Sequence, residues 1–391
     1  MTEDPNQTLP DNILLPILNS GLEGLPDAVA MLVNHAMLIE RQEHLGADPY
    51  QRTEQRNGHA NGFKERQLNT RVGALSLRVP QVRNSEEPFF PSALERGQRS
   101  EKALTIAVAE MYLQGVSTRR VTKVMEELCG LEVTSTQVSR AAAALDEILE
   151  AWRTREIEAV SHLVLDARYE KIRYNGVMRS CAVLVAAGIR TSDGKRTVLG
   201  CSVSLSEAEV HWREFLVSLK QRGLNLPKSI TSDAHEGLRA ALKAAFPGGL
   251  WQRCQFHLQQ NAQGYVPKQS MKEEVAADIR GVFNAGTLVE AEQKLAKAVE
   301  KYGEKAPELS AWMESNLPEG FAIFSLPEPV RRRLRTSNMM ENLNLQVRRR
   351  TRVASIFPNT ASCLRLVSAV LMEISDEWED SKAYLNPKHL I

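Results

Sequence analysis

Apolar residues recur with a helical period in two parts of the N-terminal region, residues 26–45 and 101–149. Between them, residues 66–72 and 74–82 alternate apolar and polar positions as β-strands do, with Gly73 at the turn. In the second strand, the inward positions are Leu75, Leu77 and Val79, and the outward positions are Ser76, Arg78 and Pro80. The pattern predicts a mainly helical region with a small β-hairpin that displays basic residues. An ordinary surface hairpin has the same pattern.

Three closely spaced helices are predicted after the hairpin, in the order of a helix-turn-helix domain. Ser117 is the expected N-cap of the second helix, and the third begins at Thr134 or Ser135. Such domains use short polar side chains at the front of the last helix to reach base edges, although a generic three-helix bundle has similar sequences. We therefore predict DNA contacts from this helix, with Gln137 and Arg140 as candidates.

The next part of the chain alternates short apolar runs with helical stretches. Its strand-like segments end at Asp166 and Asp233 or lie near residues 171–174, 181–188, 197–205 and 250–253. With the intervening helices, this is the element order of a ribonuclease H-like fold. Residues 255–330 have a helical period and no credible strand, so they predict a helical insertion rather than a long loop. A last helix over residues 360–378 would cap the sheet.

The predicted fold class is α/β: a ribonuclease H-like catalytic domain with an all-helical insertion, preceded by a mainly helical DNA-binding region with a small β-hairpin. A chain of 391 residues has room for two or three domains. The predicted bounds are 1–98 for the N-terminal helix and hairpin, 99–153 for the helix-turn-helix-like domain, and 154–391 for the catalytic domain, with its insertion at 255–330.

Three carboxylates are the candidate catalytic residues. Asp166 and Asp233 follow apolar strands that would lie side by side and parallel, so both would reach the same edge of the sheet. Glu341 lies on a predicted helix over residues 336–350, beside an apolar face formed by Met340, Leu343 and Val347. Three such carboxylates can hold two divalent cations for phosphodiester chemistry, so we expect Mg²⁺, with Mn²⁺ as an alternative. Taken singly, each Asp could cap a helix and the Glu could form a surface ion pair.

Charge is uninformative over the whole chain, at +1, but it is concentrated locally. Seven Lys or Arg and two Glu lie between Arg52 and Arg83, and eight Arg and one Glu lie between Arg331 and Arg352. Two basic blocks beside candidate chemistry favour a phosphate-backbone partner over merely solvated surfaces. The candidate DNA-binding arginines in these blocks are Arg66, Arg78, Arg348, Arg349 and Arg350.

The cysteines and histidines favour packing roles over a metal framework. None of the five cysteines forms a Cys-x-x-Cys pair. Cys254 and His257 form a Cys-x-x-His pair, but zinc would need two further ligands and none lies near in sequence, so we expect both to pack close to the carboxylates. His235 would either contact a phosphate or form hydrogen bonds within its own loop. There is no stretch of about 20 apolar residues and no signal pattern, so a cytoplasmic, nucleoid-associated protein without a membrane partner is expected.

Several motifs resemble the Mutator-type bacterial insertion-sequence transposases, a family of DDE transposases. They run through nearly the whole chain in order: Tyr50-x5-Arg56-Asn-Gly-His-x2-Gly62, Leu163-Val-Leu-Asp166-Ala, Ser232-Asp233-Ala-His-Glu-Gly-Leu238, Trp251-Gln-Arg-Cys-x2-His257 and Ser337-Asn-x2-Glu341-Asn-x-Asn. The resemblance implies that Asp166, Asp233 and Glu341 are the DDE triad. It also implies the Cys-x-x-His element and a basic residue seven positions after the Glu, which is Arg348 here.

The resemblance further implies binding to the terminal inverted repeats of an insertion sequence, metal-dependent strand cleavage and strand transfer, and a homodimer that pairs two DNA ends. Double-stranded DNA, as element ends and as target, is the expected partner. Two alternatives remain from the residues alone: a nuclease or resolvase of the same fold without strand transfer, and a DNA-binding regulator with an inert catalytic domain.

Overall fold

The computed structural model describes residues 12–48, 51, 53, 56–94, 100–352 and 356–390, with only the backbone of Lys102. Tyr50 of the first motif and Arg52 of the first basic block lie outside these residues. The chain divides into two compact units, Met1–Ala144 and Leu145–Ile391.

The described part of the first unit contains helices α1 (Leu15–Ser20) and α2 (Leu25–Leu45), followed by the antiparallel hairpin of β1 (His59–Thr70) and β2 (Gly73–Arg83). Strand β1 starts earlier than predicted, at His59 within the first motif. Apolar residues of α2, of β2 and of the segment after β2 form one core: Ala30, Met37, Leu75, Leu77, Val79 and Leu94. The inward positions were therefore predicted correctly, but Pro80 is buried instead of facing outward.

Within the described residues, one helical stretch, Leu15–Leu45, is long and apolar enough to cross a membrane by length and composition alone, with a mean hydropathy of 1.2. The sequence-based prediction did not single it out. Core helices of soluble proteins pass the same test, and the α2 part of this stretch packs Ala30 and Met37 against the hairpin.

Helices α3 (Lys102–Leu113), α4 (Thr118–Cys129) and α5 (Ser135–Ala143) complete the first unit. The predicted caps are present: Ser117 Oγ accepts a hydrogen bond from the N–H of Arg120. Thr134 and Gln137 form a reciprocal capping box, which explains why α5 begins where it does.

The second unit contains a five-stranded mixed sheet in the order β5-β4-β3-β6-β7. Its strands are β3 (Val160–Tyr174), β4 (Val177–Arg190), β5 (Arg196–Ser204), β6 (Ser229–Ser232) and β7 (Trp251–Arg253). The first three pair antiparallel, whereas β6 is parallel to β3 and β7 is parallel to β6. The two segments predicted to end at Asp166 and to lie near residues 171–174 are one continuous strand, β3.

Helices cover both faces of the sheet. Helices α7 (Glu209–Gln221) and α8 (Glu236–Ala245) bury Trp212, Phe215 and Leu238 in the main core, and α15 (Thr360–Asp380) packs on β5. Helix α6 (Asp146–Thr154) also belongs to this unit, whereas the predicted boundary at 153/154 placed it with the DNA-binding domain. Arg365 of α15 binds the Asp146 carboxylate with two hydrogen bonds of 2.7 Å, which ties α6 to α15.

The segment after β7 is helical, as predicted. Among its described residues the regular elements longer than one turn are α9 (Gln255–Ala262), α10 (Lys272–Phe283), α11 (Leu288–Gly303), α12 (Pro307–Asn316) and α13 (Glu328–Leu334). Helices α9 to α12 have a hydrophobic core of their own, which includes Leu258, Ile279 and Leu309. Helix α13 packs instead in a cluster that includes Ile189 of β4. The two ends of the segment meet, since the N–H of Gln255 donates to the carbonyl of Arg335 (3.0 Å).

Helix α14 (Asn338–Thr351) carries Glu341. Its predicted apolar face is confirmed, because Met340, Leu343 and Val347 are fully buried. That burial fixes the rotation of the helix and therefore the direction of the polar stripe beside it.

Candidate active site

Asp166 and Asp233 lie at the same level of two neighbouring parallel strands. Val164 of β3 pairs with Thr231 of β6, and each Asp lies two residues further along its own strand direction. Strand β6 ends at Ser232, so Asp233 is at the strand end as predicted, whereas Asp166 lies inside β3 and pairs with Val185 of β4. The parallel register therefore brings the two carboxylates together at the carboxyl end of β6.

The environment of Asp166 disfavours its negative charge. Burial and, to a smaller extent, the nearby Asp233 carboxylate raise the pKa of Asp166 to about 7. A hydrogen bond from the N–H of Ala167 (2.9 Å) and the charge of His257 act in the opposite direction but do not outweigh burial. A buried acid beside another acid is a site that favours a bound cation.

In chelator, Asp166→Asn should stabilise the protein at pH 8 and not at pH 4. In the native state the Asp166 carboxyl group keeps its proton up to about pH 7, whereas in the unfolded chain it loses the proton near pH 4. Wild-type stability therefore falls as pH rises between these values, by ~4 kcal/mol at most, and the Asn variant lacks this loss. Melting temperatures at both pH values test this, with the exposed Glu236→Gln as control. An equal difference from wild type at pH 4 and pH 8 would contradict it.

Glu341 lies in the first turn of α14, one turn before Asn344. Its Oε1 is buried and has no hydrogen-bond partner among the described residues. Asn344 places this part of the helix beside Asp166, because its Nδ2 donates to Asp166 Oδ2 (2.8 Å). Helix α14 thus brings the third predicted carboxylate to the neighbourhood of the other two.

Cys254 holds the start of α14. Its Sγ accepts hydrogen bonds from the N–H and the Oγ–H of Ser337, both 3.3 Å, immediately before the helix that carries Glu341. Burial alone would raise the pKa of the Cys254 thiol, but its interactions with His257 and Ser337 outweigh burial and lower it. The thiol in turn raises the pKa of His257 to about 9, with smaller contributions from Asp166 and Asp233. The Cys-x-x-His pair therefore places a cationic ring near the acids.

Glu207, just after β5, is an acidic residue near the site that the sequence patterns did not reveal. It is buried, and burial is the largest cause that raises its pKa, with Asp233 contributing. His235 links the two: its N–H donates to Asp233 Oδ1 (3.2 Å), and its ring Nδ1 lies 4.0 Å from the Glu207 carboxylate. A Cβ on Gly237 would lie 2.3 Å from the carbonyl oxygen of Glu207, so the motif glycine permits this close approach.

The arginines after Glu341 have different environments. Arg348 is exposed, and its charge is one of the smaller causes that lower the pKa of Arg168, after burial, so it lies on the side of the helix near β3. Arg349 is exposed as well. Arg350 forms an ion pair with Glu373 of α15 (3.2 Å), which indicates a structural contribution.

The predicted DNA-binding residues of the first unit lie on exposed or half-buried surfaces. Arg140 is exposed on α5. Gln137 is exposed, and its Oε1 accepts the N–H of Thr134 (2.6 Å). On the hairpin, Arg66 is half-buried, and the guanidinium of Arg78 lies over the ring of Phe63 (4.7 Å to the centroid).

The donor chemistry fits a divalent metal, although the side chains are not gathered into a finished site. Among the described residues, no group of three His, Cys, Asp or Glu side chains has the arrangement of a metal cluster. The unpartnered Oε1 of Glu341 and the disfavoured charge of Asp166 are nevertheless what a cation would satisfy. Oxygen ligands of this kind suit Mg²⁺ and Mn²⁺.

Comparison with known proteins gives one consistent result. The profile of the family "Transposase, Mutator family" matches residues 14–381. The transposase for insertion sequence element IS406 of Burkholderia multivorans is 53% identical over 95% of both chains. The transposase for ISRM5 of Rhizobium meliloti is 40% identical over 95% of this chain and 92% of that protein. The transposase for IS256 in transposon Tn4001 of Staphylococcus aureus is 36% identical over 90% of both.

The chain therefore belongs to the Mutator family of transposases, and its function is that of an insertion-sequence transposase. A Drosophila P element transposase strand transfer complex is a distant structural neighbour, with a TM-score of 0.32, 11% sequence identity, and coverage of 76% of this chain and 85% of that one. At that TM-score the likeness has no bearing on details of the fold.

Proposed function

We propose that the protein binds the terminal inverted repeats of its insertion sequence and catalyses metal-dependent strand cleavage and strand transfer with Asp166, Asp233 and Glu341 as its catalytic triad. The observation that supports this most directly is the parallel register of β3 and β6, which places the two aspartates at one level, close to the helix that carries Glu341. The sheet order and the helical insertion support a ribonuclease H-like catalytic domain.

The three carboxylates would hold Mg²⁺ or Mn²⁺, which when bound activates the attacking oxygen and stabilises the leaving oxygen of an in-line phosphodiester displacement. The protein's own residues position the reaction. Cys254 fixes the start of α14, and His257 offsets part of the negative charge beside Asp166 and Asp233. Arg348, which is exposed, would hold a phosphate of the bound strand.

An oligonucleotide assay with the element's own ends tests the proposal. Uncut ends report cleavage, and pre-cut ends with a free 3′-hydroxyl report joining to a target plasmid. We expect both activities with Mg²⁺ and neither in chelator. Cleavage without joining would instead indicate a nuclease or resolvase, and specific binding without cleavage would indicate a regulator. Binding by a homodimer would appear as two paired ends per complex.

The front of α5 is expected to distinguish sequences, and the hairpin is expected to contact the DNA backbone. Arg140→Ala should weaken binding to the cognate end by about 1–3 kcal/mol and binding to random DNA much less. Arg66→Ala or Arg78→Ala should weaken both alike and reduce the salt dependence by about one charge. Fluorescence anisotropy on both DNAs at several salt concentrations measures this. Equal losses for Arg140→Ala on the two DNAs would disprove base recognition by that residue.

A further inference from the structure

The carboxylate of Asp166 is held at both oxygens. Oδ1 accepts the N–H of Ala167 (2.9 Å), which is a local contact within β3. Oδ2 accepts the amide Nδ2–H of Asn344 (2.8 Å), which comes from α14. The second contact therefore connects the strand with the helix that carries Glu341.

Asn344 is itself fixed through its main chain. Arg168, two positions after Asp166 and on the same face of β3, donates from Nη1 to the carbonyl of Asn344 (2.7 Å). Arg168 is mostly buried and forms an ion pair with Glu170, whose carboxylate also accepts the hydroxyl of Thr351 (2.8 Å). Alternate residues of one strand thus hold α14 at two places.

The spacing along α14 makes this docking relevant to Glu341. Asn344 and Thr351 are seven residues apart, so they lie within about 20° of each other on the helix and meet the strand together. Glu341 lies three residues before Asn344, on the neighbouring turn. Fixing Asn344 against Asp166 therefore fixes where Glu341 stands relative to that strand.

The side-chain amide of Asn344 has a hydrogen-bond partner at its nitrogen but not at its oxygen. Its Oδ1 is buried and has no hydrogen-bond partner among the described residues. The hydrogen bond that the amide does form, from Nδ2 to Asp166 Oδ2 (2.8 Å), is the contact between α14 and the candidate site.

We propose that Asn344 is a positioning residue for the reaction: its amide orients the Asp166 carboxylate from α14, and Arg168 locks the same residue through its carbonyl, so that Asp166 and Glu341 keep one relative arrangement. This rests on the proposed function, in which both carboxylates bind the metal. A partner that orients a ligating carboxylate tunes metal affinity without contacting the metal.

Asn344→Ala and Asn342→Ala form a matched pair, because Asn342 is an exposed residue on the same helix. We expect Asn344→Ala to raise the Mg²⁺ concentration for half-maximal cleavage by about 10–100-fold, with end binding unchanged. In the metal-free protein, hydrogen exchange of the backbone amides of α14 should become faster. Asn342→Ala should change neither quantity.

Asn344→Asp keeps the shape of the side chain and serves if the Ala variant does not fold. It replaces the donor by a carboxylate facing Asp166, so α14 should exchange faster in metal-free protein at pH 8 than in wild type. The proposal is overturned if the Asn344 variant that folds needs the same Mg²⁺ concentration for cleavage as the control Asn342→Ala and has the same hydrogen-exchange rates in α14. A lower melting temperature with an unchanged Mg²⁺ requirement also overturns it, since that is a purely structural role.

A further variant separates this inference from the proposed function. If Asp166→Asn cleaves at the wild-type rate, the triad assignment fails whatever Asn344 does. If Asp166→Asn is inactive while Asn344→Ala matches its control, the triad stands and only the positioning role is lost.

Discussion

Asp233→Asn should abolish cleavage and joining while leaving specific binding to the element end intact. The substitution keeps the size of the side chain and its Oδ1, which accepts the N–H of His235, so the loop can keep its structure. It removes the charge that a divalent cation needs. Metal ions contribute several kcal/mol to such reactions, and each 1.4 kcal/mol is tenfold in rate, so a loss of at least about 10³-fold is expected.

The matched control is Glu236→Gln, an exposed carboxylate three residues later at the start of α8. Single-turnover cleavage, joining of a pre-cut end and end binding are measured for both variants. Cleavage by Asp233→Asn at the rate of Glu236→Gln would show that Asp233 is not part of the triad.

Arg348→Ala should reduce strand transfer by about 10–100-fold, because a charge-assisted hydrogen bond contributes about 1.5–3 kcal/mol. Arg348 lies seven residues after Glu341, within about 20° of the same helix face. Its planar guanidinium can bind two phosphate oxygens at once, which a lysine cannot do. Arg348→Lys should therefore remain well below wild type in joining, with metal affinity and folding unchanged.

The competing role for Arg348 is to neutralise the carboxylates when metal is absent. That role needs charge alone and predicts nearly normal activity for Arg348→Lys. A Mg²⁺ titration of cleavage and joining decides between the two roles. The control is Arg213→Ala, an exposed arginine of α7 that pairs with Glu209. Full activity of the Lys variant would exclude the phosphate clamp.

Local periodicity predicted the elements well where one face is apolar. The buried face of α14 follows from Met340, Leu343 and Val347, since no other rotation of that helix buries all three. Strand β3 was predicted as two pieces because Arg168 and Glu170 interrupt its apolar pattern. The two pair with each other on the face covered by α14, so their partners lie outside the reach of a local pattern.

The candidate site was predictable in part for a similar reason. Asp166 and Asp233 were expected to meet because neighbouring parallel strands present their carboxyl ends together. Glu207 was missed because it lies near Asp233 through a close approach of its backbone to Gly237. Such an approach produces no periodic pattern in the sequence. The role of Asn344 was missed because one hydrogen bond between distant positions has no sequence signal beyond the residue itself.

The meeting of Gln255 and Arg335 gives the long helical segment the character of a replaceable module. Its two ends are held at one point, and residues after α12 contact β7, where Gln252 bonds the carbonyl of Gly320 (3.0 Å) and the N–H of Ile323 (2.7 Å). A change of length within α9–α12 leaves these contacts in place and alters the loop-closure entropy, which grows slowly with length. Helices α9–α12 also bury their own core, so their local opening need not spread to the strands. The architecture thus separates a part of the chain that can be exchanged in evolution from the part that must keep Asp233 and Glu341 in place.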